Sequence, residues 1–436
     1  MADIAEINGV ATADIAELNG KQYGTCAELG GGALPSQKDP CWVAVSDGGR
    51  VMYSTAATPT SGTWTGNDYF APDKGAPATA IAYGLDNLGN DHWIITWDRG
   101  NNCASVSTSS VPHAEHAWAT LDLDQGVWDA GKVPNDVAFS SAPSVAGTGK
   151  SGLWVIVGNG GRIAYSSTGS ADHADWEVDI NTTAGFAGNR HPEAVCFSGS
   201  FVFVAGSRTR IVSASIPTDW ANGTNLAWNT GDLALDENDS NGNSQFNWKR
   251  IAAGGSGTDA RFFTVADSSR DTNFPMFATG ANATEGDPCC GDYSGGNGWR
   301  DIGGAPAQTF GDNTNSSSRR MMDVATDGSG NWMIVGRNGT GYKSINNGAT
   351  WTTMTLPDNS NGQAIASNDI LCVEYALVNG ANTWIVGGED GYIAVSTDVG
   401  TNWTICDNPW AAGGVGVNHH VHGIAANYIP RHPGVT

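Results

Sequence analysis

Trp384-Ile-Val-Gly-Gly-Glu-Asp-Gly-Tyr-Ile-Ala-Val-Ser-Thr-Asp-Val-Gly-Thr-Asn-Trp403 reads as an apolar strand, a Gly-rich turn, a second strand and a tryptophan that introduces another. The same phrase starts earlier at Trp42, Trp93, Trp154, Phe201, Phe262 and Trp332. An apolar stretch precedes most copies, as in Asp136-Val-Ala-Phe139, Ala194-Val-Cys-Phe197, Arg250-Ile-Ala-Ala253 and Ile370-Leu-Cys-Val373. A closing tryptophan follows each one, at positions 64, 118, 176, 220, 299, 351 and 403. Four short strands per copy, repeated at intervals that fit one propeller blade plus loops, predict an all-β, seven-bladed β-propeller.

The first copy lacks its leading strand, because Cys41-Trp-Val-Ala-Val45 follows a loop. Val421-His-Gly-Ile-Ala-Ala426, near the other end, carries the missing pattern. A ring of sheets removes its exposed edges by closing, so this C-terminal strand is expected to complete the blade containing Trp42. Residues 26–436 are read as that one propeller domain and residues 1–25 as a separate N-terminal arm. The arm holds a near-duplicate, Ala2-Asp-Ile-Ala-Glu-Ile-Asn-Gly9 and Ala13-Asp-Ile-Ala-Glu-Leu-Asn-Gly20. A repeated apolar pattern is unusual in a disordered tail, so Ile4, Ile7, Ile15 and Leu18 are expected to dock on a partner as strand or short helix.

Composition agrees with a strand-and-turn chain. Of 436 residues, 59 are glycine and 17 tryptophan, while only 15% are charged. Forty-four acids against 21 Lys and Arg leave a formal charge of −23, which repels nucleic acid and anionic membranes. No apolar run approaches the ~20 residues a membrane helix needs. Met1-Ala-Asp-Ile-Ala-Glu-Ile-Asn-Gly9 has neither a basic n-region nor an apolar h-region, so no secretory leader is expected and synthesis is expected in the host cytoplasm. The eight cysteines are scattered without a CxxC pair; Cys196 and Cys372, inside strand patterns, are expected to be buried free thiols, and Cys289-Cys290 has no assigned role.

Ser396-Thr-Asp-Val-Gly-Thr-Asn-Trp403 matches the pattern Ser-x-Asp-x-Gly-x-x-Trp, and Ser344-Ile-Asn-Asn-Gly-Ala-Thr-Trp351 repeats it with Asn346 for the acid. These repeats resemble the BNR/Asp-box propellers, a family that includes sialidases, xyloglucan-degrading glycosidases, sortilin-like receptors and photosystem II assembly factors. The physical reading of the box is structural. Asp398 and Asn346 are expected to cap a hairpin, Gly400 and Gly348 to supply positive φ, and Trp403 and Trp351 to pack between strands, with Ser396 and Ser344 opening each box. The arm resembles the starts of virion structural proteins of marine tailed phages.

Chemistry is harder to place. The Arg-Ile-Pro signature of sialidases is absent; Arg162-Ile-Ala and Arg210-Ile-Val fall inside repeat strands. Glycoside hydrolysis needs two carboxylates at a set separation, and sequence singles out no pair. His419, His420 and His422 could supply zinc ligands near the closing strand, whereas His113 and His116 lie in a loop. Asp236-Glu-Asn-Asp-Ser-Asn-Gly242 is an oxygen-rich loop with weak calcium potential, and otherwise no cofactor, catalytic residue or metal is expected. Trp128, Tyr69, Phe70 and Tyr293 are loop aromatics that could stack on sugars.

The expected function is a non-enzymatic phage virion protein, a capsid decoration or tail appendage. Its arm would bind other virion proteins, and its ring, oligomeric in the particle, would present loops to a protein or host surface glycan. One alternative is an Asp-box glycoside hydrolase acting on surface polysaccharide. The other is an intracellular assembly factor of the photosystem II type.

Overall fold

The computed structural model describes residues 39–427 apart from loop stretches, the longest being 230–247, 280–299 and 302–320, and six two-residue strands before residue 39. These residues form seven four-stranded antiparallel sheets. Six are consecutive in sequence, running outward from Ala78–Leu85, Pro134–Ser140, Pro192–Ser198, Trp248–Gly254, Met321–Thr326 and Ile370–Val378. The remaining sheet, called the first here, is built from both ends of the ring. Val421–Ala426 pairs with Trp42–Ser46, and Val51–Ser54 and Thr65–Asn67 follow. Val421 faces Ser46 and Ala426 faces Trp42.

The innermost strand of every sheet touches the innermost strands on either side, and the cycle closes where Val421–Ala426 meets both Ile370–Val378 and Ala78–Leu85. The chain is a β-propeller. Its core is distributed between neighbouring sheets rather than gathered at one centre. One cluster joins Trp42, Met52, Ile385 and Val421 across the closure, and another joins Val155, Tyr165, Phe197 and Val204 between the third and fourth sheets.

The aromatic that begins each phrase holds one register throughout. Trp42, Trp93, Trp154, Phe201, Trp332 and Trp384 stand opposite Ser54, Ser107, Ser166, Ser215, Ser344 and Ser396, while Phe262 stands opposite Ala278. The tryptophans of this set are fully buried. A large side chain at this step fills the gap between neighbouring sheets, and alternation places the small serine beside it.

Two sequence assignments shift. The fourth strand of the sheet starting at Pro192 is Ala227–Asn229, which pairs Trp228 with Ala214, so Trp228 occupies the place assigned to Trp220. Trp228 packs into the cluster of the third and fourth sheets, whereas Trp220 lies outside the described residues. In the last consecutive sheet the strand has a bulge after Ile370, so Cys372, not Ile370, is the register equivalent of Asp136.

Before the ring, the pairs are Glu6–Ile7 with Val10–Ala11, Glu17–Leu18 with Lys21–Gln22, and Glu28–Leu29 with Gly32–Ala33. The third pair lies beyond residue 25, so the repeated unit extends past the boundary read from sequence.

Candidate functional site

All seven sheets converge only at the axis, so groups there can act together. Each innermost strand carries a β-bulge at the same step, which skips Thr79, Asn135, Glu193, Lys249, Met322, Leu371 and His422 in turn. A bulge re-aims its side chains, and all seven skipped residues are partly accessible although they lie on the innermost strands. That combination sets seven partly accessible side chains around the axis, one from each sheet.

The residue following the bulge carries the central charges. Asp136 Oδ1 accepts from its own neighbour's amide, Val137 N, at 3.0 Å, and Oδ2 accepts from Val195 N of the next sheet at 3.0 Å. Asp323 repeats the arrangement with Val324 N at 2.8 Å and Val373 N of the next sheet at 2.9 Å. Each carboxylate thus staples one sheet to its successor through buried amides.

Arg250 stands at the same register in the fifth sheet. Its Nε lies 3.8 Å from Asp323 Oδ1, and Nη2 donates at 3.0 Å to the carbonyl of Thr79, three sheets away across the axis. Burial raises the Asp323 pKa to about 6 against the opposing pull of Arg250. Asp136 is raised for the same reason. Burial disfavours the Arg250 charge, but Asp136 and Asp323 outweigh it and hold the pKa above its ordinary value. Beside them, Lys249 Nζ is 3.6 Å from Glu193, and burial raises the Glu193 carboxyl despite that partner. Glu374, half-buried, is pushed well above the usual carboxylate range by burial and by Asp323.

Three of the described thiols, Cys41, Cys196 and Cys372, do not suit nucleophilic chemistry. With Cys103 and Cys406 they stand outside any disulfide among the described residues, and Cys196 is partly accessible rather than buried. Burial pushes Cys41 up to about 12 and raises Cys196 and Cys372, so the thiolate is scarce near neutrality.

The Asp-box residues lie apart from the axis, in turns between third and fourth strands. Asp398 Oδ1 accepts from Asn402 N at 2.8 Å and Thr401 N at 3.1 Å, and Ser396 Oγ donates to it at 2.9 Å. The backbone bond from Asn402 is the largest influence holding Asp398 down at about 2. Ser396 Oγ also accepts from Gly400 N at 2.9 Å. In the second box Asn346 Oδ1 takes Thr350 N at 2.9 Å and Ser344 Oγ takes Gly348 N at 2.9 Å. Trp351 is buried and Trp403 packs against the cluster of the sixth and seventh sheets. Serine, not aspartate, is the recurrent part: Ser54, Ser107 and Ser166 also accept backbone N–H bonds from the turn that follows. The serine that follows each of these tryptophans, twelve residues on at Ser54, Ser166, Ser344 and Ser396 and fourteen on at Ser107, was the available signal.

Gly400 sits at φ +65, and a methyl group there would fall 2.8 Å from Met333 Cε and 2.9 Å from Met354 Sδ. Gly400→Ala should therefore lower stability by about 1–3 kcal/mol, through strain and crowding together. Asp398→Ala, at an exposed site, should cost clearly less. Chemical denaturation of the two variants checks the order, and a larger loss from Asp398→Ala would contradict it.

The histidines near the C-terminus belong to ring closure. His422 Nε2 is 2.7 Å from Asp47 Oδ1, and His420 N donates to Asp47 Oδ2 at 3.0 Å. Burial alone would raise the Asp47 carboxyl, but these hydrogen bonds outweigh it and lower its pKa. His420 Nδ1 lies 3.4 Å from Asp390 N. Among the described residues, no group of three or more His, Cys, Asp or Glu side chains could hold a metal ion. No described helix is long and apolar enough to cross a membrane.

Trp128 is fully buried, with Nε1 donating to Lys132 O at 3.1 Å, so it is not an exposed platform for sugar. Its apolar surface packs with Leu121, Leu123 and Val137, which the loop-like sequence around it concealed. Arg162 is buried inside a strand. Tyr69, Phe70, Tyr293, His113, His116, Arg210, Cys289, Cys290 and Asp236–Gly242 lie outside the described residues, as do Ile4 and Ile15. Backbone pairing sets Ile7 opposite Val10 and Leu18 opposite Lys21.

No protein-family model matches the chain. No curated protein matches it either. Solved structures do. One described as "YCF48 bound to D1 peptide" has a TM-score of 0.46 and 11% identity, covering 81% of this chain and 89% of that one. Another, "YCF48 from Cyanidioschyzon merolae", has a TM-score of 0.44 and 13% identity, covering 76% and 85%.

Proposed function

We propose that the protein is a non-enzymatic, seven-bladed binding propeller: the ring presents its loops to a protein partner, and the N-terminal repeats hold it to the assembly in which it acts. The count of blades rests on the seven sheets and the closed cycle of innermost strands. The observation that carries the function is the use of the axial charges. Asp136 and Asp323 are engaged by backbone amides of two sheets each, and Arg250 pairs with Asp323 and reaches across the axis to the Thr79 carbonyl. These groups make the ring rigid, which serves presentation of a surface rather than proton transfer. A virion, with the protein on capsid or tail, is the setting favoured by the arm and its resemblance. An assembly factor acting on an intracellular client shares the same ring and differs in its partner.

The deciding experiment sediments particles from the source lysate with added full-length protein or a chain starting at residue 39. The full chain should travel with particle proteins and the shortened one should stay in solution with an unchanged melting curve. Recovery of the full chain with a soluble client instead would transfer the reading to the assembly factor. Release of reducing sugar from surface polysaccharide, lost in Glu374→Gln, would overturn the non-enzymatic reading.

A further inference from the structure

The seven innermost strands come level again two residues past the position of Asp136 and Asp323. Five of them carry alanine there, Ala82, Ala138 and Ala252 among them, while the fourth and seventh sheets carry Cys196 and Glu374. These five named residues are partly accessible. Neighbouring sheets cover an innermost strand on both sides and a second strand covers its outer edge, so that exposure faces the axis.

Glu374 is the one long polar side chain in a belt of small ones. Among the described residues it has no hydrogen-bond or ion-pair partner. The cations of the axis are committed elsewhere, Lys249 to Glu193 and Arg250 to Asp323 and the Thr79 carbonyl. Asp323 gives no help, because its oxygens take the amides of Val324 and Val373 and its charge repels a second carboxylate. A carboxyl drawn out of water without a partner lowers stability, so the belt is one cation short. A metal ion does not suit it: among the described residues no group of three or more His, Cys, Asp or Glu could hold one. A quaternary ammonium would want an aromatic cage, and the belt is alanine and cysteine. A primary ammonium on an aliphatic stem matches both parts, its head pairing with the carboxylate and its methylenes lying along the alanine methyls.

We propose that this axial belt binds a primary alkylammonium group, with Glu374 as its carboxylate and the alanine methyls of neighbouring sheets as its wall. The inference goes beyond the loop presentation given above and does not depend on it. A lysine side chain of a partner and a free aliphatic diamine share this chemistry. The linkage to protons has a definite sign. Burial and Asp323 push the Glu374 carboxyl well above the usual carboxylate range, so an arriving ammonium drives its proton off. Binding should therefore release protons and strengthen as pH rises from about 5 to about 8.

The test is titration calorimetry of the full chain with Nα-acetyl-lysine amide and with 1,5-diaminopentane, in two buffers of different ionisation enthalpy. The parent should bind with a heat that depends on the buffer. Glu374→Gln should weaken binding on the order of tenfold or more without lowering the melting temperature. Asp98→Asn removes an exposed carboxylate from a turn of the second sheet and should leave the affinity as it was. Tighter binding of the lysine amide assigns the site to a peptide, and tighter binding of the diamine assigns it to a free amine. Binding of neither probe overturns the site, as does equal binding by parent and Glu374→Gln. A loss shared by Asp98→Asn would show general attraction to an acidic surface and would overturn it too. Each of these failures leaves the presentation of loops to a protein partner standing.

Discussion

Removing residues 419–436 is expected to abolish the folded ring rather than merely weaken it. Val421–Ala426 supplies the innermost strand of one sheet and fills the space between its two neighbours. Val421, Ile424, Ala425 and Ala426 are all buried. Their loss would expose Val43 and Val45, leave the edge of Trp42–Ser46 unpaired, and strip one side from the clusters around Trp42 and around Ile81. Burying a Val or Ile side chain contributes about 1.5–3 kcal/mol, so the deleted strand and the surfaces it covers approach the 5–15 kcal/mol that holds a typical domain together. Asn427 adds specific ties: its N and Oδ1 each bond Cys41 at 2.8 Å. The truncated protein should show no cooperative unfolding transition by near-ultraviolet circular dichroism and should be digested rapidly. A synthetic peptide of residues 419–436 should restore protection. A truncated chain that melts like the parent would refute the closure.

Arg250→Leu should cost about 3–5 kcal/mol at neutral pH, because it leaves two buried carboxylates without their shared cation. The pH dependence gives a sharper check. Asp323 has a folded pKa of about 6, above the ordinary 3.8, so the folded state binds its proton more tightly than the unfolded chain. Its contribution therefore favours folding most at low pH and declines as pH rises from about 4 to 6. Without Arg250 the carboxyl is raised further, and the decline extends above 6. The two proteins should thus be closest in stability near pH 4.5 and diverge toward pH 7.5. Adding Asp323→Asn to the variant should recover part of the difference, since the amide still offers an acceptor and carries no charge. Parallel stability curves across this range would show that Arg250 acts through packing alone.

The sequence made the sheets legible because one step of the repeat is filled by a tryptophan or phenylalanine that nothing smaller replaces. The closing strand was legible for a related reason: Val421–Ala426 repeats a pattern whose partner is missing at the other end. The axial staple was hidden, because equivalent positions carry Ala80, Asp136, Ala194, Arg250, Asp323, Cys372 and Gly423, and only register reveals that they are equivalent. Bulges hid it further by adding one residue to every innermost strand. The Asp-box turn was legible in outline, yet Val399 takes φ 55, a left-handed conformation that its branched side chain disfavours. The arm's third unit escaped because Gly24-Thr-Cys-Ala-Glu-Leu-Gly-Gly31 shares only half of the eight positions that made the first two look alike.

The meeting of Asp47 with His422 spans 375 positions of the chain. A ribosome adding ~5–20 residues per second needs roughly 20–75 s to cover that distance. Throughout that interval the sheet that begins with Trp42 exists without its inner strand, and its apolar edge faces the crowded surroundings of a nascent chain. Heating an expression culture, or starving it of holding chaperones, should therefore harm the yield of this protein during synthesis far more than it harms protein already finished.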